Sequence, residues 1–272
     1  MAIVAGLSAA NVNAESTTQW MSGYYGLEND AGTVGVWHLD DSLICNTTAN
    51  SPAYDFDSLV NSSYAAGKFN NGVDLTAAGV SYALMQSDAS PTNDYLGCLS
   101  AEEVTIEAWF NPAVIGSGNE YKVVIDAWAN EGLKIEFDAG GTKLCGNFWI
   151  AADGGDVQAT INGGTALTEN QWYHVAMTRV NATGEMKLYL DGEVDGSSTA
   201  HAGKTLAAAS AGDWGWAMQL GVHSWGANSV EGKIDEVRLS HVARTFEVPE
   251  PATLALLGIG GAIGLLRRRR IS

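Results

Sequence analysis

Acidic side chains dominate the chemistry open to this chain. It carries 31 Asp and Glu against 14 Lys and Arg, a formal net charge of −17 over 272 residues. Calcium takes oxygen ligands, mostly carboxylates and carbonyls, so such a chain can supply a site for it. Asp235 draws notice because its segment is apolar at Ile234 and Val237, where an unpaired carboxylate is costly. Pairing with Arg238, or plain exposure to solvent, would explain it equally. Glu136 and Asp138 offer a different chemistry. Two apart on a strand they share a face, with Cα atoms about 6.6 Å apart, near the separation of about 5–5.5 Å between the carboxyl groups of a retaining glycosidase. Trp214, Trp216 and Trp225 lie in glycine-rich segments and could stack on sugar rings or pack at a rim. The five histidines show no H-E-x-x-H or other i, i+4 metal spacing, and neither a G-x-S-x-G elbow nor a phosphate loop occurs.

These residues must be positioned by strands. Gln171 to Gly192 reads as an antiparallel pair: Tyr173, Val175, Met177 and Arg179 alternate with Trp172, His174, Ala176 and Thr178, a period of two that suits a half-buried strand. Asn181 to Gly184 supplies a turn, since Asn and Gly tolerate positive φ. The second strand, Met186 to Leu190, stops at Asp191-Gly192, a hairpin signal. Val104 to Phe110 is the clearest strand elsewhere, stopped by Asn111-Pro112, with Glu107 opposite its apolar face. Further strands are expected at Val34–Leu39, Tyr82–Met85, Lys122–Ala127, Leu133–Phe137, Asn147–Ala151, Met218–Val222 and Lys233–Leu239. Many short strands, almost no helical periodicity before residue 252 and frequent glycine predict one all-β domain over residues 32–245, a two-sheet antiparallel jelly-roll sandwich.

The ends read differently. Residues 2–10 are apolar, and Val12 and Ala14 fit the −3 and −1 positions of a signal-peptidase site, so residues 1–14 are expected to be a signal peptide. A positively charged n-region is missing; a start upstream of Met1 would account for that. Ala252 to Leu266 is a 15-residue apolar run followed by Arg267, Arg268, Arg269 and Arg270. As a helix it would be about 22 Å long, short for a hydrocarbon core of about 30 Å but adequate with snorkelling arginines held in the cytoplasm. Only ten positive charges precede that run, and such an acidic chain argues against nucleic acid as a partner. Cys45, Cys98 and Cys145 lack C-x-x-C spacing. A Cys45–Cys98 bridge would suit an exported protein, yet the sequence does not choose a pairing.

Two resemblances follow from these residues. The segment VPEPATLALLGIGGAIGLLRRRR, within residues 248–270, resembles a PEP-CTERM sorting signal: a Pro249-Glu250-Pro251 box, a short hydrophobic stretch and a basic cluster, all in order. That resemblance implies processing by an exosortase-type membrane protease, transient anchoring in the inner membrane through 252–266, and release to the cell surface or an exopolysaccharide-containing matrix. Val36 to Asp40, Val104 to Phe110, Trp172 to Ala176 with Lys187 to Gly192, and Gly232 to Leu239 resemble a LamG-like, concanavalin A-like jelly roll. This implies two antiparallel sheets, often with one calcium ion at the rim, held by an acid near the last strand and by carbonyls near the first strand and a loop. Asp235 with Asp40 and Asp57 is then the candidate calcium set. Some enzymes on this fold use paired carboxylates, but their pattern continues to a third acid where Ala139-Gly140-Gly141 follows here. The expectation is therefore a non-enzymatic surface protein that serves adhesion or carbohydrate binding, with a glycan hydrolase, active or degenerate, as the alternative.

Overall fold

The computed structural model describes residues 27, 29–47, 54–86, 94, 96–127, 132–207, 216–223 and 226–246. Among them are fifteen strands, all paired antiparallel, and no helix. One sheet has eight strands: β1 (Thr33–Trp37), β3 (Ser63–Ala66), β4 (Asn71–Asp74), β6 (Glu103–Pro112), β11 (Tyr173–Val180), β12 (Glu185–Leu190), β13 (Glu193–Thr199) and β15 (Gly232–Ser240). Their order is β13-β12-β11-β6-β15-β4-β3, with β1 also paired to β15. The other has seven, β2 (Ser58–Val60), β5 (Tyr82–Gln86), β7 (Val123–Ala127), β8 (Leu133–Phe137), β9 (Leu144–Ile150), β10 (Val157–Asn162) and β14 (Trp216–Leu220), ordered β10-β9-β8-β7-β14-β5-β2.

Alternation builds the core between the layers. Ile106, Ala108 and Phe110 of β6, Val175 and Met177 of β11, and Val237 and Leu239 of β15 face Ile135 and Phe137 of β8, Phe148 of β9 and Met218 of β14 in one apolar cluster. Phe110 and Phe137 meet edge to face across the sheets, with centroids 6.0 Å apart, a favoured aromatic geometry. Asp191 (φ 49) and Gly192 (φ 86) both take the left-handed conformation, so the β12–β13 hairpin closes as the Asp-Gly pair predicts.

Several expectations shift. Asn181 does not supply a positive φ to its turn; Gly184 (φ 69) does, while the Asn181 amide reaches the Ala101 carbonyl at 2.7 Å and receives the Arg179 Nε–H. Strand β6 runs through Asn111 and ends on Pro112, a terminal position at which the missing N–H costs no ladder bond. The turn expected within residues 67–75 is flanked by the short strands β3 and β4, whereas β2, which is short, and β10, which is polar, were not anticipated. The three cysteines are buried as thiols, and no disulfide joins them. Most consequential, β11 is buried on both faces and not half-buried, because further chain covers the outer side of the eight-stranded sheet.

That cover comes from the two ends of the domain. The segment 241–246 lies across β6: the Thr105 hydroxyl donates to the Val242 carbonyl at 2.6 Å and accepts from the Arg244 amide at 3.0 Å. Phe246, 1% exposed, packs on Tyr189 and His174 with ring centroids 5.0 and 5.1 Å away. Arg244 grips Asp30 through two guanidinium bonds of 2.8 and 2.7 Å, which closes the N-terminal end on the C-terminal end.

Candidate functional site

Both sheets turn polar side chains outward. On the eight-stranded sheet these form a closed ion cage. Glu107 is fully buried; its Oε1 accepts from Arg238 at 2.8 Å, its Oε2 meets His174 Nε2 at 2.9 Å, and Arg244 lies 3.7 Å away. Burial works to raise this carboxyl, but the charges of Arg238 and His174 overcome it and hold the group at about 2. Arg238 therefore pairs with Glu107 and not with Asp235.

Asp235 sits where β15 bulges, and Glu236 beside it takes φ 51. Glu236 accepts from the Leu27 amide at 2.7 Å and joins His38 Nδ1 at 2.8 Å, and the bond to His38 raises the pKa of that imidazole. Asp235 accepts at Oδ2 from the Phe69 amide at 2.9 Å, while its buried Oδ1 has no hydrogen-bond partner. Burial pushes the carboxyl up to about 8, with the charges of Glu236 and Asp40 adding to the effect. Gly67 is required here, since a Cβ on it would lie 2.5 Å from Asp235 Oδ2.

Of the other acids in the calcium set, Asp40 approaches this site but gives its two oxygens to the Asn71 amide and the Asn70 side chain, each at 3.0 Å. Asp57 lies elsewhere, leading into β2 of the opposite sheet with its amide on the Leu84 carbonyl. Among the described residues no three His, Cys, Asp or Glu side chains gather as a metal group. A calcium ion ringed by three carboxylates does not fit. The open, buried Oδ1 of Asp235 is the acceptor that a cation at this place would meet.

The seven-stranded sheet presents a different surface. Strand pairing sets Gln219 opposite Asp126, Asp126 opposite Lys134, Lys134 opposite Asn147 and Asn147 opposite Thr160. Their neighbours Met218, Ile125, Ile135 and Phe148 point into the core, so these five polar side chains form one outward row across five strands. At about 4.8 Å per strand the row is about 19 Å long. It is internally bonded. Lys134 Nζ meets Glu136 Oε2 at 2.8 Å, Asn147 Nδ2 donates to Glu136 Oε1 at 2.8 Å, and Asn147 Oδ1 accepts from Gln158 at 2.6 Å and Thr160 at 2.8 Å. At the other end Gln219 is 1% exposed and its Oε1 has no hydrogen-bond partner.

The expected glycosidase pair divides here. Glu136 belongs to the row, whereas Asp138 lies beyond the end of β8 and accepts at Oδ1 from the Thr142 and Lys143 amides at 3.0 and 3.1 Å. Trp216 opens strand β14 and is not in a loop; Trp214, Trp225, the Pro249-Glu250-Pro251 box and Arg267 to Arg270 lie outside the described residues. Trp149, half-buried, is the aromatic on this outer face that the sequence reading passed over. Its place in the Leu144–Ile150 alternation, beside Cys145 and Asn147, was the available signal.

A two-layer antiparallel jelly roll with a polar row across one sheet defines a concanavalin A-like domain. The chain belongs to the concanavalin A-like lectin/glucanases superfamily, whose model matches residues 84–247, and carries a PEP-CTERM protein-sorting motif at 247–270. That motif marks it for export and sorting to the cell envelope or surface, with exosortase processing. Domain 4 of AbnA, a GH43 extracellular arabinanase from Geobacillus stearothermophilus, solved with arabinotriose, is similar at TM-score 0.55 and 19% identity over 80% of this chain and 96% of that one. The binding domain of Paraclostridial Mosquitocidal Protein 1 (TM-score 0.59, 14% identity) and the botulinum neurotoxin serotype D binding domain (TM-score 0.56, 13% identity) each match 79% of this chain, which spans about half their length (50% and 49%). At these identities the likeness is one of fold. No curated protein matches the chain in sequence.

Proposed function

We propose that this exported protein binds polysaccharide at the cell surface or in the extracellular matrix, through the outer face of its seven-stranded sheet, without cutting it. The observation that carries this is the row Gln219–Asp126–Lys134–Asn147–Thr160 with a buried, unpartnered carbonyl at one end. A buried acceptor without a donor is costly, and a sugar hydroxyl would satisfy it. Half-buried Trp149 offers a ring for stacking on the same face. The arabinotriose complex of the AbnA domain shows that one protein of this fold was solved with a sugar, which supports the reading. Exosortase-type processing and an exopolysaccharide partner belong to it. Calcium enters as a structural ion at Asp235, where its charge would let that acid ionise and pin the 67–70 turn to β15.

The test is binding of the exported protein to its host's exopolysaccharide and to a glycan array, with Gln219→Ala and Asn147→Ala beside it. Binding lost in both variants while each stays folded bears the reading out; an array blank for the native protein overturns it. Reducing-end release from bound glycan that disappears in Glu136→Gln would establish the hydrolase alternative instead. Asp138 bonded into its turn is the geometry that weighs against that outcome.

A further inference from the structure

The polar row also carries a preference among polysaccharides, an inference that rests on glycan binding at this face. Its side chains offer acceptors ahead of donors. Lys134 gives its charge to Glu136 at 2.8 Å, and the Asn147 amide is likewise spent on Glu136. Asn147 Oδ1 already receives two donors, but Gln219 Oε1 receives none. Asp126 has His223 as a neighbour at 3.6 Å, and burial together with the Lys134 charge pushes that imidazole down to about 4, so the ring is neutral at pH 7. Among these residues two carboxylates stand against one ammonium, in a chain of net charge −17.

An incoming uronate or sulfate would surrender its hydration to a face with no uncommitted cation among these residues, and would meet like charge. Sugar hydroxyls and ammonium groups would instead donate into the open Gln219 carbonyl and meet the negative charge of the row. Charge juxtapositions of this kind decide specificity more than raw affinity.

We propose that the seven-stranded face selects polysaccharides without acidic groups, accepting neutral chains and holding amino-sugar chains more tightly. The selection lies in the row itself and not in the net charge of the chain. A local change of charge should therefore alter it while the rest of the molecule stays constant.

Calorimetric titration of the exported protein with three oligomers of matched length, a neutral cello-oligosaccharide, a chitosan oligomer and an oligogalacturonate, measures this. The chitosan oligomer is expected to bind about tenfold more tightly than the neutral one at low salt, with the gap closing as salt is raised. The oligogalacturonate is expected at least about 100-fold weaker than the neutral chain. Thr160→Lys, at an exposed position that folding tolerates, should strengthen oligogalacturonate binding about tenfold and weaken chitosan binding. Oligogalacturonate bound as tightly as the neutral chain overturns the selectivity and leaves glycan binding standing. Absence of binding to all three overturns the underlying reading as well. Neutral-chain binding unchanged by Gln219→Ala, with the fold confirmed by its melting curve, moves the site off this face and overturns both.

Discussion

The outer faces of the two sheets are both lined with charged and amide side chains, and they solve opposite problems. On the eight-stranded sheet, Glu107, His174, Arg238 and Arg244 are sealed beneath Phe246, and their charges answer one another. On the seven-stranded sheet, the row ends in the open Gln219 carbonyl and runs out to exposed Gln158 and Thr160 at its edge strand. A buried ion cage complete in itself has nothing left to offer a ligand. A buried ladder with an unfilled acceptor does. Polar residues on a sheet face therefore do not by themselves mark a site; the hydrogen bonds they leave unmade do.

The largest expected effect tests the closed side. Glu107→Ala removes the buried carboxylate that Arg238 and His174 share and should cost about 3–5 kcal/mol, read as the shift in chemical-denaturation midpoint at constant m-value. A loss below about 1 kcal/mol would mean that the cage is solvated. Phe246→Ala should cost about 3 kcal/mol by opening the seal, with glycan binding unchanged, since the two faces lie on different sheets. Loss of binding in that variant would dissolve the contrast.

Asp235 gives a test with a definite sign. Its carboxyl is pushed up to about 8 in the folded chain, so between about pH 4 and pH 8 the unfolded state releases a proton that the folded state keeps. Without calcium, the contribution of this carboxyl to stability should be full below that window and be lost as pH rises through it, by up to about 1.4 kcal/mol per unit, then level off above about 8. Calcium should flatten this slope and raise the melting temperature. Asp235→Asn should abolish both the slope and the calcium response, and a native protein indifferent to calcium at pH 8 would remove the ion from the account. The smallest effect belongs to the open side: Gln219→Ala should change stability by under about 1 kcal/mol, because its Oε1 makes no hydrogen bond to lose, yet weaken glycan binding measurably.

Most of the fold was legible in the sequence because strands announce themselves locally. Leu133–Phe137 is bounded in the structure as the alternation of Leu133, Ile135 and Phe137 implied, and Asp191-Gly192 turns as its residue types require. What alternation could not convey was which outward face would be covered. His174 and Glu107 read as solvent-facing because each alternates with apolar neighbours. Their cover comes from the segment 241–246, more than 60 positions away from either of them in the chain. The same blindness hid the row. Gln219, Asp126, Lys134, Asn147 and Thr160 come from five separate strands, and only the pairing register puts them in line. Asp235 was legible as an anomaly within its own strand; its distance from Asp57 was not, since that depends on which sheet each segment joins.

Strand β15, from which the C-terminal segment departs, is interior to its sheet, with β6 on one side and β4 and β1 on the other. Tension applied to the chain end would be delivered through Phe246 and the Arg244–Asp30 grip into this strand, and not into an edge that could peel away one bond at a time. A shell held by its tail in flowing water would then yield only when a whole ladder shears at once.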